Sequence, residues 1–142
     1  MVASAYVFRF SACVAATVTL LTSCSRPVAV QAPPTTDECA SIISEAPIRL
    51  LGQLQRETSP ADLAAIAWGE PPIVLVCGVE HTPAPDAQVI TLENVDWIAE
   101  TSDAGTVFTT LNRQPVLQLR VPAQYRPEID AVSEIAPVLA VS

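Results

Sequence analysis

A chain of 142 residues, 50% hydrophobic and 15% charged, is long enough to bury one real core and short for more than one domain. Its 7 basic residues are all arginines, and against 15 Asp and Glu they leave a formal charge of −8. That balance argues against nucleic acid as a partner and against electrostatic docking on anionic lipid headgroups.

The N-terminus has the parts of a secretory signal. Met1–Phe10 carries one positive charge, Arg9, and Phe10–Leu21 is an apolar run followed by small residues. A membrane-spanning helix needs roughly 20 apolar residues, so this run is too short to persist as one. Leu21-Thr22-Ser23-Cys24 resembles the bacterial lipobox, in which an aliphatic residue and small residues precede a cysteine. That cysteine receives a diacylglyceryl group, and the chain is then cut in front of it. The expectation is a signal peptide over residues 1–23, lipid on Cys24, and a protein held on the extracytoplasmic face of the cell membrane. Two or three acyl chains, at about 0.8 kcal/mol per buried methylene, suffice for stable anchoring. The competing reading is an ordinary signal cut elsewhere, with Cys24 left as a thiol. Without Arg9, 6 arginines face 15 acids, a net −9, so attachment is assigned to the lipid. Cys13 leaves with the signal and Cys24 is taken by lipid. Cys39 and Cys77 remain, an even pair that an oxidising compartment would join in a disulfide.

Ser25–Thr36, with three prolines, reads as an extended tether reaching roughly 35 Å from the bilayer at about 3 Å per residue. The folded domain is then expected over residues 37–142. Asp37–Gln55 reads as helix. Thr36 is its N-cap, Asp37 and Glu38 suit the positive end of the dipole, and Cys39, Ile43, Ala46, Leu50 and Leu54 form one apolar stripe that Pro47 interrupts, giving either two short helices or one kinked helix. Ser59-Pro60 opens a second short helix running to about Ala67. Ile73–Val79 is a β-rich apolar run suited to a central strand, and Glu80–Asp86 is a loop. Val89–Leu92 and Val95–Ile98 are strands joined across Glu93-Asn94. Val107–Leu111 and Val116–Val121 form a hairpin around Asn112-Arg113-Gln114-Pro115, and Leu117, Leu119 and Val121 alternate with polar residues. Pro127–Ala140 has helical spacing of Ile129, Val132, Ile135, Ala136 and Leu139, with Pro137 bending or ending it. The predicted class is a single α+β domain, a mainly antiparallel sheet of three to five strands packed against N-terminal and C-terminal helices.

Ala67-Trp68-Gly69-Glu70-Pro71-Pro72-Ile73-Val74-Leu75-Val76-Cys77-Gly78-Val79 resembles the signature of a small actinobacterial secreted family, catalogued as domain of unknown function, family 3515. Asn94-Val95-Asp96-Trp97, Thr109–Pro115, Val121-Pro122 and the early Cys39 resemble it too, so the likeness spans roughly Cys39–Ala140. Val76 stands where the family often has Arg, and Asn112-Arg113 where it has Gly-Arg. The resemblance implies export, an actinobacterial envelope and the cysteine pair. It implies no activity and carries over no catalytic residue.

Chemistry must come from few residues. His81, the only histidine, is required by any Ser/His/Asp or Cys/His mechanism, but no nucleophile-elbow motif accompanies it and Cys77 is expected to be oxidised. An exposed loop histidine is the simpler reading. Cys77 and His81 lack the second pair of a structural zinc site, and no calcium-loop or phosphate-loop spacing occurs. No metal or cofactor is expected. An acid pair acting on a cell-wall polymer is the enzymatic alternative. Trp68, Trp97 and Arg113 are the candidate binding patch, since Trp and Arg dominate hot spots. Against it stands the preferred reading that both rings fill the core, with Arg113 at its edge and Trp68 at a structural corner. The functional expectation is a non-enzymatic module binding an envelope protein, lipid or cell-wall component, the alternative a small cell-wall hydrolase using an acid pair or His81.

Overall fold

The computed structural model describes residues 25–139, so the signal and Cys24 lie outside the described residues. Helix α1 spans Asp37–Glu45 and starts as expected, with the Thr36 side chain accepting from the Cys39 amide at 3.3 Å. It does not continue to Gln55. Pro47 can neither donate to a helical ladder nor let its predecessor stay helical. Beyond it Leu51 and Gly52 both take positive φ, the turn geometry that joins two antiparallel strands with a matching twist. Strands β2 (Arg49–Leu50) and β3 (Gln53–Arg56) therefore replace the second half of the predicted helix. Leu50 still reaches the core, but as a strand residue.

The second predicted helix is also absent. Thr58–Ser59 is strand β4 and Ala65–Trp68 is strand β5, its four side chains all buried. Alanine-rich sequence favours a helix only weakly, and pairing with β3 on one side and β6 on the other overrides it. Strand β6 (Ile73–Cys77) lies centrally, as the apolar run requires. After the crossover Gly78–Ala87 come β7 (Gln88–Leu92), β8 (Val95–Ser102), β9 (Gly105–Thr110) and β10 (Leu117–Pro122), a meander returning to β6. Glu93 and Asn94, both at positive φ, turn β7 into β8. A single helical turn, Ala123–Tyr125, leads to helix α2, Ile129–Leu139, which carries Pro137 within its last turn and does not end there.

The result is an α+β domain, but more β-rich than predicted. Eight strands in the order β2-β3-β5-β6-β10-β9-β8-β7 form one sheet, antiparallel at every step, in place of three to five. The extra strands are those read as helix between Arg49 and Trp68. Register sorts the faces. Trp68, Ile73, Leu75, Cys77, Trp97, Phe108, Leu117, Leu119 and Val121 turn toward the helices and join the core cluster. Helix α2 contributes Ala131, Val132, Ile135, Ala136 and Leu139 and contacts both β2 and β7, the two outermost strands. The sheet is thus curled around the helix. Glu134 on α2 also accepts the Leu51 amide at 2.7 Å, tying the β2–β3 turn to it.

The segment expected to be a free tether is docked instead. Val28–Ala29 forms strand β1, parallel to β4, and the Val28, Val30 and Thr35 amides donate to the Glu57, Ser59 and Asp62 carbonyls at 2.8, 3.0 and 3.1 Å. Its prolines suit this role. An extended strand at a sheet margin needs only alternate amides for pairing, and Pro33 supplies a carbonyl to Ala64 at 2.9 Å.

Cys39 and Cys77 form a disulfide, with Cα atoms 5.7 Å apart. It joins α1 to the central strand of the sheet. Closing a loop with a sequence separation of 38 constrains the unfolded chain, so Cys39→Ser with Cys77→Ser should lower stability by about 2–4 kcal/mol. Urea unfolding of the two proteins is the check, with a larger m-value for the variant because its unfolded chain is less compact.

Candidate functional site

The candidate patch of Trp68, Trp97 and Arg113 does not exist as a surface. Both indoles are fully buried on the inner face of the sheet. Trp68 Nε1 donates to the Pro47 carbonyl at 2.7 Å, which fixes the chain where α1 gives way to β2. Trp97 Nε1 is buried without an acceptor among the described residues. Arg113, on the β9–β10 turn, donates to the Leu139 carbonyl at the end of α2. The three residues hold the fold at separate points, as the core reading requires.

His81 is not a freely exposed loop residue. It is half-buried, with Nε2 enclosed and unpartnered among the described residues, beside a cleft of about 460 Å³ that Glu80, Thr82 and Gln114 also line. Strand β6 ends at the margin where β10 begins, whereas β7 begins at the opposite margin, so the crossover carrying His81 runs the length of the sheet. Val76, Ile98 and Thr109 face away from the helices yet are buried, whereas His81 sits at the margin beside Gln114 and Val116. The Cys77 sulfur is bonded to Cys39, so the nucleophilic group that shares the cleft with His81 is the Thr82 hydroxyl. In five surface clefts no two carboxylates face one another, because each cleft has at most one acid. Among the described residues no three His, Cys, Asp or Glu side chains converge as metal ligands would.

One arrangement does gather charge, at the corner between β5 and β6. Trp68 turns inward and Gly69 follows at φ +70, where L side chains are strained. A Cβ on Gly69 would lie 2.7 Å from the Tyr125 hydroxyl and 2.8 Å from Gln53 Cγ. That hydroxyl donates to the Pro71 carbonyl at 2.8 Å. Arg56 reaches the same corner from β3. Its Nη1 donates to the Gly69 carbonyl at 2.9 Å and pairs with Glu70, and its Nη2 donates to the Arg26 carbonyl at 2.7 Å. Glu70 is 76% exposed, so the ion pair contributes at most about 1 kcal/mol. The carbonyl contacts of a guanidinium only 16% exposed matter more, at about 1.5–3 kcal/mol each. Arg56 thereby clamps the chain two residues after Cys24. Beside it lies a groove of about 720 Å³ lined by Arg26, Arg49, Arg56, Glu70, Leu54 and Ser25, among others. Sequence reading missed this groove. Its arginines are spread over thirty positions, and Arg49 and Arg56 stood on a predicted helix or just beyond it.

Together these features define a small disulfide-linked α+β domain, a curled antiparallel sheet over two helices, whose signature stretch is a structural corner. The chain belongs to the family described as Protein of unknown function (DUF3515), whose profile matches residues 2–141. The match begins well before Cys39, so the docked N-terminal segment lies within the family's pattern. No curated protein and no solved structure matches the chain.

Two outcomes follow for the corner. Gly52→Ala meets only backbone strain, since nothing lies within 4 Å of its Cβ, and should cost about 1 kcal/mol, whereas Gly69→Ala adds the clash and should cost at least twice that in urea unfolding. Burial raises the Tyr125 pKa above its ordinary value, and the nearby Glu70 charge adds to this, with Arg56 opposing. The folded value therefore exceeds the unfolded one. The neutral phenol's contribution is intact below about pH 10 and is lost as pH rises through the folded value. Tyr6 and Tyr125 are the only tyrosines, so in a chain starting at residue 24 phenolate absorbance reports Tyr125 alone. Its midpoint should lie above that of the same chain in denaturant.

Proposed function

We propose that this protein is an exported, lipid-anchored cell-envelope protein that acts as a non-enzymatic binding or accessory module. The observation that carries this reading is the disposition of its cysteines. Cys13 falls in the apolar signal, Cys24 ends the lipobox-like Leu21-Thr22-Ser23-Cys24, and Cys39 is bonded to Cys77. Disulfides of this kind persist on the oxidising side of a membrane. With that pair closed, Cys24 is the one thiol of the mature chain left for acylation. None of the five clefts unites two acids, and the one that holds His81 brings it Glu80 and the Thr82 hydroxyl rather than a free thiol.

The docked N-terminal segment also revises how the domain stands on the membrane. With the Arg26 carbonyl already held by Arg56, the anchor has almost no free chain to spend, and the domain sits against the bilayer. Expressed with its own signal, the protein should incorporate a labelled fatty acid, and its N-terminal peptide should begin at Cys24 with a diacylglyceryl mass. Cys24→Ala should abolish the label entirely. An unlabelled wild-type chain cut at another residue would refute the anchor.

A further inference from the structure

We infer that the arginine-lined groove beside Ser25 is a membrane-docking surface that takes the phosphates of an anionic phospholipid bilayer. The inference rests on the lipid-anchor reading for its geometry and extends it from the anchor to the domain's own surface.

Four observations converge. The first is where the lipid-anchor reading puts the start of the mature chain: Ser25 lines the groove, and one trans peptide spans about 3.8 Å, so an acylated Cys24 would enter the bilayer at the groove's rim. The second is charge. A mature chain with 15 acids and no lysine places 3 of its 6 arginines, Arg26, Arg49 and Arg56, on this one groove with a single acid, Glu70. The third is that this charge is available. Glu70 and the backbone carbonyls occupy Arg56, but the Arg26 guanidinium is exposed with no partner among the described residues, and Arg49 donates one bond, to the Gly52 carbonyl at 3.0 Å. The fourth is apolar exposure. Leu54, 53% exposed, pairs across from Arg49 on the β2–β3 hairpin and lines the groove. Guanidinium groups with aliphatic residues beside them suit the headgroup boundary, where phosphate oxygens accept from the fork and short apolar side chains reach the acyl region.

The overall negative charge does not prevent this. At physiological ionic strength the Debye length is about 8 Å, so acids beyond that distance are screened, and the nearby acids the three arginines face are Glu70 in the groove and Glu134 at the β2–β3 turn. An arginine near an anionic leaflet contributes about fivefold in partitioning. The acidic remainder would orient the domain, pushing every other face away from the lipid. The crowded anchor requires such an orientation, since the docked segment leaves no length for a raised one.

The test uses the chain from residue 24, which contains the whole described fold, as Cys24→Ser so that no acyl chain contributes. It should co-sediment with phosphatidylglycerol–phosphatidylcholine vesicles at low salt and not with phosphatidylcholine alone. Arg26→Gln with Arg49→Gln spares the Arg56 clamp and should weaken binding by about fivefold per arginine, whereas Arg126→Gln should leave it unchanged. Circular dichroism confirms that the variants are folded. Equal sedimentation of the double variant, or none by the parent chain, overturns the inference. So does competition by millimolar glycerol phosphate, which would make the groove a small-ligand site. Because these proteins carry no lipid, vesicle binding and fatty-acid labelling of Cys24 fail independently.

Discussion

A sheet of eight antiparallel strands has two edges, and in this protein both lie against the same helix. Helix α2 meets β2 at one edge and β7 at the other, and its buried residues are mostly small or branched: Ala131, Val132, Ile135 and Ala136, with Leu139 at the end. Small residues let the strands approach, and the right-handed twist of the sheet brings its margins round to them. The arrangement brings both margins to the helix without covering them, since Val89 on β7 stays 52% exposed. It also sets what surface is left. With the inner face filled by the helices, only the outer face, the margins, the loops and the hairpin tips can meet a partner.

The Trp-Gly-Glu-Pro-Pro stretch is best understood within that constraint. It is the point where β5 must leave the sheet and β6 return, and each residue has one structural task. Trp68 fills the core and holds the Pro47 carbonyl between α1 and β2, Gly69 takes a backbone conformation beneath Tyr125, and Pro71 supplies a carbonyl to that phenol. Arg56 then uses the carbonyl of Gly69 and that of Arg26 to join the corner to the N-terminal segment. A family signature built this way marks shared architecture, and chemistry must be sought elsewhere on the surface. The corner's functional consequence is indirect: it fixes where the first described residues leave the domain, and so which face an anchor would hold to the membrane.

Charge distribution matters more here than net charge. A formal −8 over the whole chain argues against docking on anionic lipid only if the few cations are dispersed. Arg113 and Arg126 are engaged elsewhere, with the Leu139 carbonyl and Glu128 respectively, and Arg120 lies on the outer face beside Gln118. The other three arginines among the described residues converge. The same total therefore supports a protein that most surfaces repel and one surface attracts.

Local pattern determined a good deal without tertiary help. The Thr36 cap, the central strand at Ile73–Cys77, the hairpins about Glu93-Asn94 and Asn112–Pro115, the alternation along β10 and the apolar face of α2 all rest on contacts within a few residues, where periodicity and turn chemistry dominate. Burial of both tryptophans followed from the same logic. Three things waited on the tertiary structure. Residues Arg49–Trp68 have helical spacing and helical composition, but their backbone partners lie in strands distant in sequence, and ladder pairing outweighs propensities of a few tenths of a kcal/mol per residue. Residues 25–36 have the composition of a tether and are docked because β4 offers them unpaired backbone groups. The arginine groove joins side chains from three separate segments, and no spacing rule relates residues that only the fold brings side by side.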